Sequence, residues 1–192
     1  TPTEETVREA TVAIAGNFTD DEPYRFRVRG AGEFPRILIE NYEDLKAIGS
    51  GAYGLDKYYR LAADIDASAS SSDNQGLGFA PIGTPEEPFT GAFDGQGYTI
   101  SDLVIRRPEA DNIGLFGVIT GSQTRTAVVR DMTLINVEVV GRTNVGTVAG
   151  QMSRTAISGI VVDGKVRGKG NSVGGVIGSA ANYCDIRECE MG

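Results

Sequence analysis

Apolar and polar positions repeat along the second half of the chain. Ile100, Val129, Ile157 and Ile186 recur at a nearly constant interval. Leu103, Met132, Ile160 and Cys189 follow three positions later, and Ile105, Leu134, Val162 and Met191 two positions after those. Between these columns lie glycine blocks at 112–117 (Asn-Ile-Gly-Leu-Phe-Gly), 144–150 (Asn-Val-Gly-Thr-Val-Ala-Gly) and 172–178 (Ser-Val-Gly-Gly-Val-Ile-Gly). Self-similarity at such a period marks stacked units. Valine, isoleucine, threonine and glycine dominate, and no long amphipathic stretch occurs, so the units are strands and turns. The pattern predicts an all-β fold, a right-handed parallel β-helix (β-solenoid) with coils of about 28 residues, hydrogen-bonded at about 4.8 Å spacing. The first unit departs from the rest, because the interval from Asn112 to Asn144 is longer than that from Asn144 to Ser172. Its excess falls in the loop at 120–127, as insertions into repeats do.

The preceding residues read as a lead-in. Residues 1–9 are a polar linker or loose terminus. Residues 10–66 form an N-terminal cap with the first strands. Strands are expected at 11–15 and at 24–29, where Tyr24, Phe26 and Val28 alternate with Arg25, Arg27 and Arg29. The arginine stripe suits either an acidic glycan or plain solvation at an edge. A strand at 36–40 is followed by Asn41, a suitable cap for a short helix over 42–48 that ends at Gly49 and buries Tyr42, Leu45 and Ile48. One strand is expected over 57–66, with Tyr59, Leu61, Ala63 and Ile65 on one face. Residues 67–99 are a loop-rich lead-in, in which 67–76 is a loop by composition and Gly95 and Gly97 supply the positive φ of a corner. Residues 100–192 carry the repeats. The final unit lacks a glycine block, which suggests a piece of a longer solenoid truncated at its C-terminus, and Thr1 in place of Met suggests a mature or excised segment.

Composition narrows the chemistry. A net charge of −8 disfavours nucleic acid and anionic membranes as partners. No apolar run is long enough to span a bilayer, so no membrane insertion is expected. The chain has no histidine, so zinc hydrolysis and Ser-His-Asp or Cys-His catalysis are not expected. No catalytic residues and no cofactor are assigned, and no phosphate loop occurs. Two carboxylate groupings remain. Asp102, Asp131 and Glu188, with Gly159 between, share the repeat spacing and suit either a carboxylate site or solvated strand edges. Asp64, Asp66 and Asp73, with Asn74, suit either a calcium ion or ordinary turn and capping roles. Cys184 and Cys189 are apolar fillers or a local disulfide. Tyr53, Tyr58 and Tyr98 line a surface or serve structure, and Asn17-Phe18-Thr19 fits the glycosylation sequon.

Two sets of residues carry a family resemblance. Val129–Asn136 reads as a short strand ending in Asn, and Val173–Gly178 (Val-Gly-Gly-Val-Ile-Gly) as the glycine block that follows it. The lead-in strings Tyr59–Asp66, Pro81-Ile82-Gly83 and Phe89–Ile100 accompany them. Residues 40–192 thereby resemble the GLUG-motif repeats of bacterial surface proteins. The resemblance implies a right-handed β-helix in secreted or surface-attached proteins, among them adhesins and the N-terminal regions of IgA-specific metallopeptidases. It carries over no catalytic residues. The expected function is that of a noncatalytic module for adhesion, display or spacing in a larger extracellular, secreted or cell-surface protein. Its partners would be a host or neighbouring-cell surface protein or glycan, and further domains of its own polypeptide. Two alternatives are an accessory region of an IgA-specific metallopeptidase or other secreted enzyme, and a carboxylate-based polysaccharide-active enzyme.

Overall fold

The computed structural model describes residues 36–192. The linker at 1–9, the strands expected at 11–15 and 24–29, the arginine stripe and the Asn17 sequon lie outside the described residues. Twelve strands follow: β1 (Arg36–Ile39), β2 (Tyr58–Leu61), β3 (Ile65–Asp66), β4 (Ala92–Asp94), β5 (Thr99–Ser101), β6 (Val104–Arg106), β7 (Phe116–Thr120), β8 (Ala127–Gly141), β9 (Ala149–Ser153), β10 (Thr155–Gly168), β11 (Ile177–Ala181) and β12 (Asp185–Met191). They form two sheets. The larger runs β1-β2-β4-β8-β10-β12, with β3, β5 and β6 joined to it, and the smaller runs β7-β9-β11. All paired strands in both are parallel. The described residues are therefore mostly β-strand, in parallel sheets with little helix, consistent with an all-β fold.

One short helix, α1 (Tyr42–Ala47), follows β1. The Asn41 side chain accepts from the Asp44 N–H at 3.0 Å, and Asp44 accepts in turn from the Glu40 N–H at 2.9 Å. This reciprocal cap satisfies donors that the first turn leaves free. Tyr42, Leu45 and Ile48 are buried, as their spacing predicts, and Gly49 has a φ of +96°.

Cross-strand register settles which apolar columns stack. Val129 pairs with Ile157, and Ile157 with Ile186, at the interval read from the sequence. Met132, Ile160 and Cys189 align likewise, as do Leu134, Val162 and Met191. The first unit is a correction. Ile100 pairs with Leu134, not Val129, and Ile105 with Val139, not Leu134. Phe93 is the residue beside Val129, and Tyr59 lies beyond it. The cause is visible in β8, whose pattern occurs twice: Val129, Met132 and Leu134 have the same spacing as Leu134, Val137 and Val139. Ile100, Leu103 and Ile105 match either copy, and only pairing distinguishes them.

Left-handed residues bend the strands at matching places. Asp131, Gly159 and Glu188 form one such set with φ of 54°, 63° and 51°, and Asn112, Asn144 and Ser172 another with 57°, 54° and 61°. Asn and Asp tolerate this region better than most residues. The Asn144 side-chain amide also donates to Asn112 Oδ1 at 2.8 Å, tying two bends together. At the corner before β5, Gln96 and Gly97 have positive φ and Gly95 does not. Gly95 is instead required by close approach, because an added Cβ would lie 2.4 Å from the Asp131 carbonyl oxygen.

Two other expectations change. The strand over 57–66 breaks at 62–64, where the Ala62 N–H donates to the Ile39 carbonyl and Asp64 accepts from the Thr99 N–H. Residues 67–76 are tight turns, a 3-10 segment at Ser68–Ser72 followed by a turn at Asp73–Gly76 in which Asn74 and Gln75 are left-handed, with φ of 50° and 59°. Serine hydroxyls stabilise the first by bonding back to carbonyls three residues earlier, Ser71 to Ser68 and Ser72 to Ala69.

The core runs beneath both sheets. Phe89 packs on Phe116 with ring centroids 4.9 Å apart, and Phe93 meets Phe116 edge-on at 5.6 Å. Ile82 and Phe89 bridge in parallel to Phe116 and Ile119, so part of the lead-in extends the smaller sheet's pairing. Among the described residues one carboxylate is buried: Asp94 is 1% exposed. It accepts from Arg130 at 2.6 Å, Tyr58 Oη at 3.0 Å and the Gln96 N–H at 3.1 Å. Burial pushes this carboxyl up, but the bonds from Gln96, Arg130 and Tyr58 outweigh it and hold the group below the usual range. Among the described residues, β12 and β11 end the two sheets, and Ile186, Met191 and Val173 there are about half exposed.

Candidate functional site

Among the described strands the register shifts at one place. Asp102 and Asn136 occupy equivalent positions on adjacent levels, both left-handed, with φ of 58° and 53°. Between β8 and β10 the register then shifts: Asp163 pairs with Ile135 and Gly164 with Val137, so Asn136 is passed over. This is a β-bulge, which leaves the extra residue outside the ladder and re-aims its side chain. The Asn136 amide donates to Asp102 Oδ1. Gly164 is required here, because a Cβ would approach the Val137 carbonyl oxygen to 2.6 Å.

Beside the bulge lies an open cleft of about 330 Å³. Ser68 and Ser71 of the 3-10 segment line one side, and Asp102, Asn136, Asp163 and Lys165 line the other. Val104 and Val137 supply its apolar part. The serine wall is held in place by its own backbone and by Ser70. The Ala67 N–H donates to the Ser101 carbonyl, and the buried Ser70 hydroxyl accepts from the Val104 N–H at 2.9 Å. Asp66 accepts from the Ser68 N–H at 2.9 Å, and bonding from Ser68 keeps its carboxyl below the usual range.

The charges around the cleft differ in how far they are satisfied. Glu138 pairs with Arg106 at 2.7 Å, and this bond, aided by Arg167 and Lys165 and opposed by burial, lowers its carboxyl. Asp102 uses one oxygen on Asn136. The Asp163 side chain has no hydrogen-bond or ion-pair partner among the described residues. Chemically, the cleft presents free carboxylate oxygens, an ammonium and hydroxyls to solvent over a small apolar area.

The residues singled out from sequence disperse. Asp64 caps the Thr99 N–H at 2.8 Å, and Asp73 accepts from Tyr42 Oη at 2.9 Å with Lys46 at 3.4 Å. The Asn74 amide donates to the Gly78 carbonyl at 2.8 Å. Asp64, Asp66 and Asp73 thus serve in capping and ion pairing, and among the described residues no group of three or more Cys, Asp or Glu is disposed to hold a metal. The carboxylate column is a further correction. Asp131 aligns with Gly159 and Glu188, but Asp102 aligns with Asn136. Spacing alone sets Asp102 one column away from its true position, because the first unit fits β8 in two phases. Asp131 instead lies 3.7 Å from its neighbour Arg130. Cys184 precedes β12 and Cys189 lies within it. Both thiols are free and pack against the core, and burial pushes the Cys189 thiol up. Tyr58 serves Asp94, Tyr53 packs against the core and Tyr98 is partly exposed. Asp163, Lys165, Ser68 and Ser71 do not stand out in the sequence, and Asn136 does so only as the last residue of the strand signature at 129–136. The available signal is a small one: an Asp-Gly step at 163–164 where the preceding level has Ile-Asn-Val at 135–137.

With fold and cleft defined, comparison with known proteins adds the following. No family model matches the chain. It is 40% identical over 174 residues to halomucin of Haloquadratum walsbyi, an alignment covering 88% of this chain and 2% of that protein. It is 32% identical over 111 residues to a protein of Evansella cellulosilytica named "Putative Gly-rich membrane protein", covering 58% of this chain and 11% of that one. The chain thus spans a small fraction of the length of each relative. No solved structure matches it.

Proposed function

We propose that this chain is a noncatalytic β-solenoid module of a larger surface-associated protein, serving adhesion, display or spacing. The observation that carries the reading is the sustained parallel register: Val129, Ile157 and Ile186 follow one another at a nearly constant interval in adjacent paired strands. A chain that returns to the same column at a constant interval winds as a coil, of about 28 residues here, and right-handedness follows from the general rule for parallel crossovers. Such an array adds length by adding coils and offers flat faces and loops to partners. The glycine blocks and the strand signature fit GLUG-type repeats. The similarity to 2% of halomucin, and to part of a protein whose name places it in a membrane, supports a module within a long surface-associated polypeptide. The dispersal of Asp102 and Asp131 favours a noncatalytic role over a paired-carboxylate enzyme.

Antibodies to the chain, applied to intact cells that produce it, test the location. Labelling of intact cells, lost on mild external proteolysis, is expected. Labelling only after lysis would overturn the reading.

A further inference from the structure

We infer that the cleft between the Ser68–Ser72 segment and the Asp102–Asn136 pair binds a neutral saccharide. The inference deepens the module reading by naming a ligand class for adhesion, and it rests on that reading. It starts from an irregularity. Elsewhere β8 and β10 keep one register, even across the left-handed Asp131 and Gly159, yet at Asp163/Gly164 one residue is passed over and the register shifts. Bulges of this kind re-aim side chains and are frequent beside binding sites. Here the bulge directs Asn136 to Asp102 and coincides with the cleft.

The lining selects the ligand chemistry by elimination. An anion would face Asp102, Glu138 and Asp163 against Arg106 and Lys165, an unfavourable balance. An apolar ligand would find only Val104 and Val137. A metal ion lacks a converging ligand set among the described residues. A hydroxyl-bearing ligand fits all the free groups together, because each hydroxyl both donates and accepts. The free oxygen of Asp102 and both oxygens of Asp163 accept from it, and the Lys165 ammonium donates to it. The Ser68 hydroxyl, whose proton goes to Asp66, accepts from the ligand. The cleft's roughly 330 Å³ lies at the lower end of the range, about 300–1,000 Å³, that holds small ligands. Because it is open, the expected dissociation constant is on the order of 1 mM.

The test is a ¹H–¹⁵N titration of the 192-residue chain with mannotriose, galactotriose, cellotriose and triacetylchitotriose, and with calcium chloride alone. At least one saccharide should move the amides of residues 102–104, 136–138 and 163–165. The combined substitution Asp163→Asn and Lys165→Ala, both at exposed positions, should weaken that binding about tenfold or more. Asp131→Asn, outside the cleft, should titrate as wild type. Silence from all four saccharides overturns the inference. So do shifts mapping elsewhere, an unaffected double variant, or calcium alone moving these amides. Recovered saccharides are then checked for cleavage. Intact sugar supports the noncatalytic reading, whereas cleaved sugar would keep the cleft as a site and overturn that reading alone.

Discussion

Asp94→Asn perturbs the one buried carboxylate of the described core with almost no change in volume. The wild-type group accepts from Arg130, Tyr58 and Gln96 while 1% exposed. Asparagine keeps one acceptor oxygen and turns an NH2 towards groups that themselves donate. Hydrogen bonds to charged groups contribute about 1.5–3 kcal/mol each. The Arg130 side chain is 45% exposed and recovers solvation when released, so its bond belongs at the low end. The expected loss is therefore about 2 kcal/mol, or about 4–8 °C in Tm for a chain of this length. The pH dependence gives a second reading. The folded carboxyl lies below its ordinary value, so its stabilisation is complete above the unfolded pKa near 3.9 and is lost as pH falls through the lower folded value. Calorimetry of wild type and variant should show a constant gap from neutral pH to about 5 that closes as the solution is acidified further. Asp163→Asn, at an unpaired exposed site, should stay within about 0.5 kcal/mol throughout. A gap for Asp94→Asn no larger than that of Asp163→Asn, or one that widens on acidification, would refute the reasoning.

Three further outcomes follow from the packing. Gly95→Ala should destabilise by about 3 kcal/mol or more in urea denaturation, because its Cβ meets Asp131 backbone, whereas Gly97→Ala, with open space but a φ of +79°, should cost about 1–2 kcal/mol; equal costs would contradict the close-approach argument. A double-mutant cycle between Ile100→Ala and Leu134→Ala should show coupling of about 0.5 kcal/mol or more, and one between Ile100→Ala and Val129→Ala should be additive; the reverse result would restore the simpler constant-interval alignment. With Cys184 replaced by Ser, Cys189 should react with a thiol reagent far more slowly in the folded protein than in urea, since burial raises its pKa and the thiolate is the reactive form; equal rates would exclude a buried filler.

Much of this fold is legible because regular parallel pairing copies itself into sequence. The Val129, Ile157 and Ile186 column can be read from spacing alone, and Asn41 can be read as the helix cap, whereas the return bond from the Glu40 N–H to Asp44 cannot. The first unit is not legible, because β8 carries its apolar pattern twice and Ile100 fits both copies. The turns at 67–76 are hidden for a different reason. Serine-rich composition indicates a loop, and only the surrounding structure shows hydroxyls closing helical turns. The cleft is the least legible. It depends on a one-residue slip between two strands, on two left-handed residues brought level, and on contacts between segments distant in sequence (Asp102 against Ser70 and Asn136). None of these leaves a motif.

The coil itself is tested most directly by lengthening it. Residues 129–156 comprise one interval between stacked positions, since Ile157 lies beside Val129. Three tandem copies of this segment, inserted before Ile157, should add three coils. Small-angle X-ray scattering should then show a maximum dimension longer by about 14 Å, three times the inter-strand spacing of about 4.8 Å, with an unchanged cross-section. An increase in cross-section without that gain in length would contradict the account.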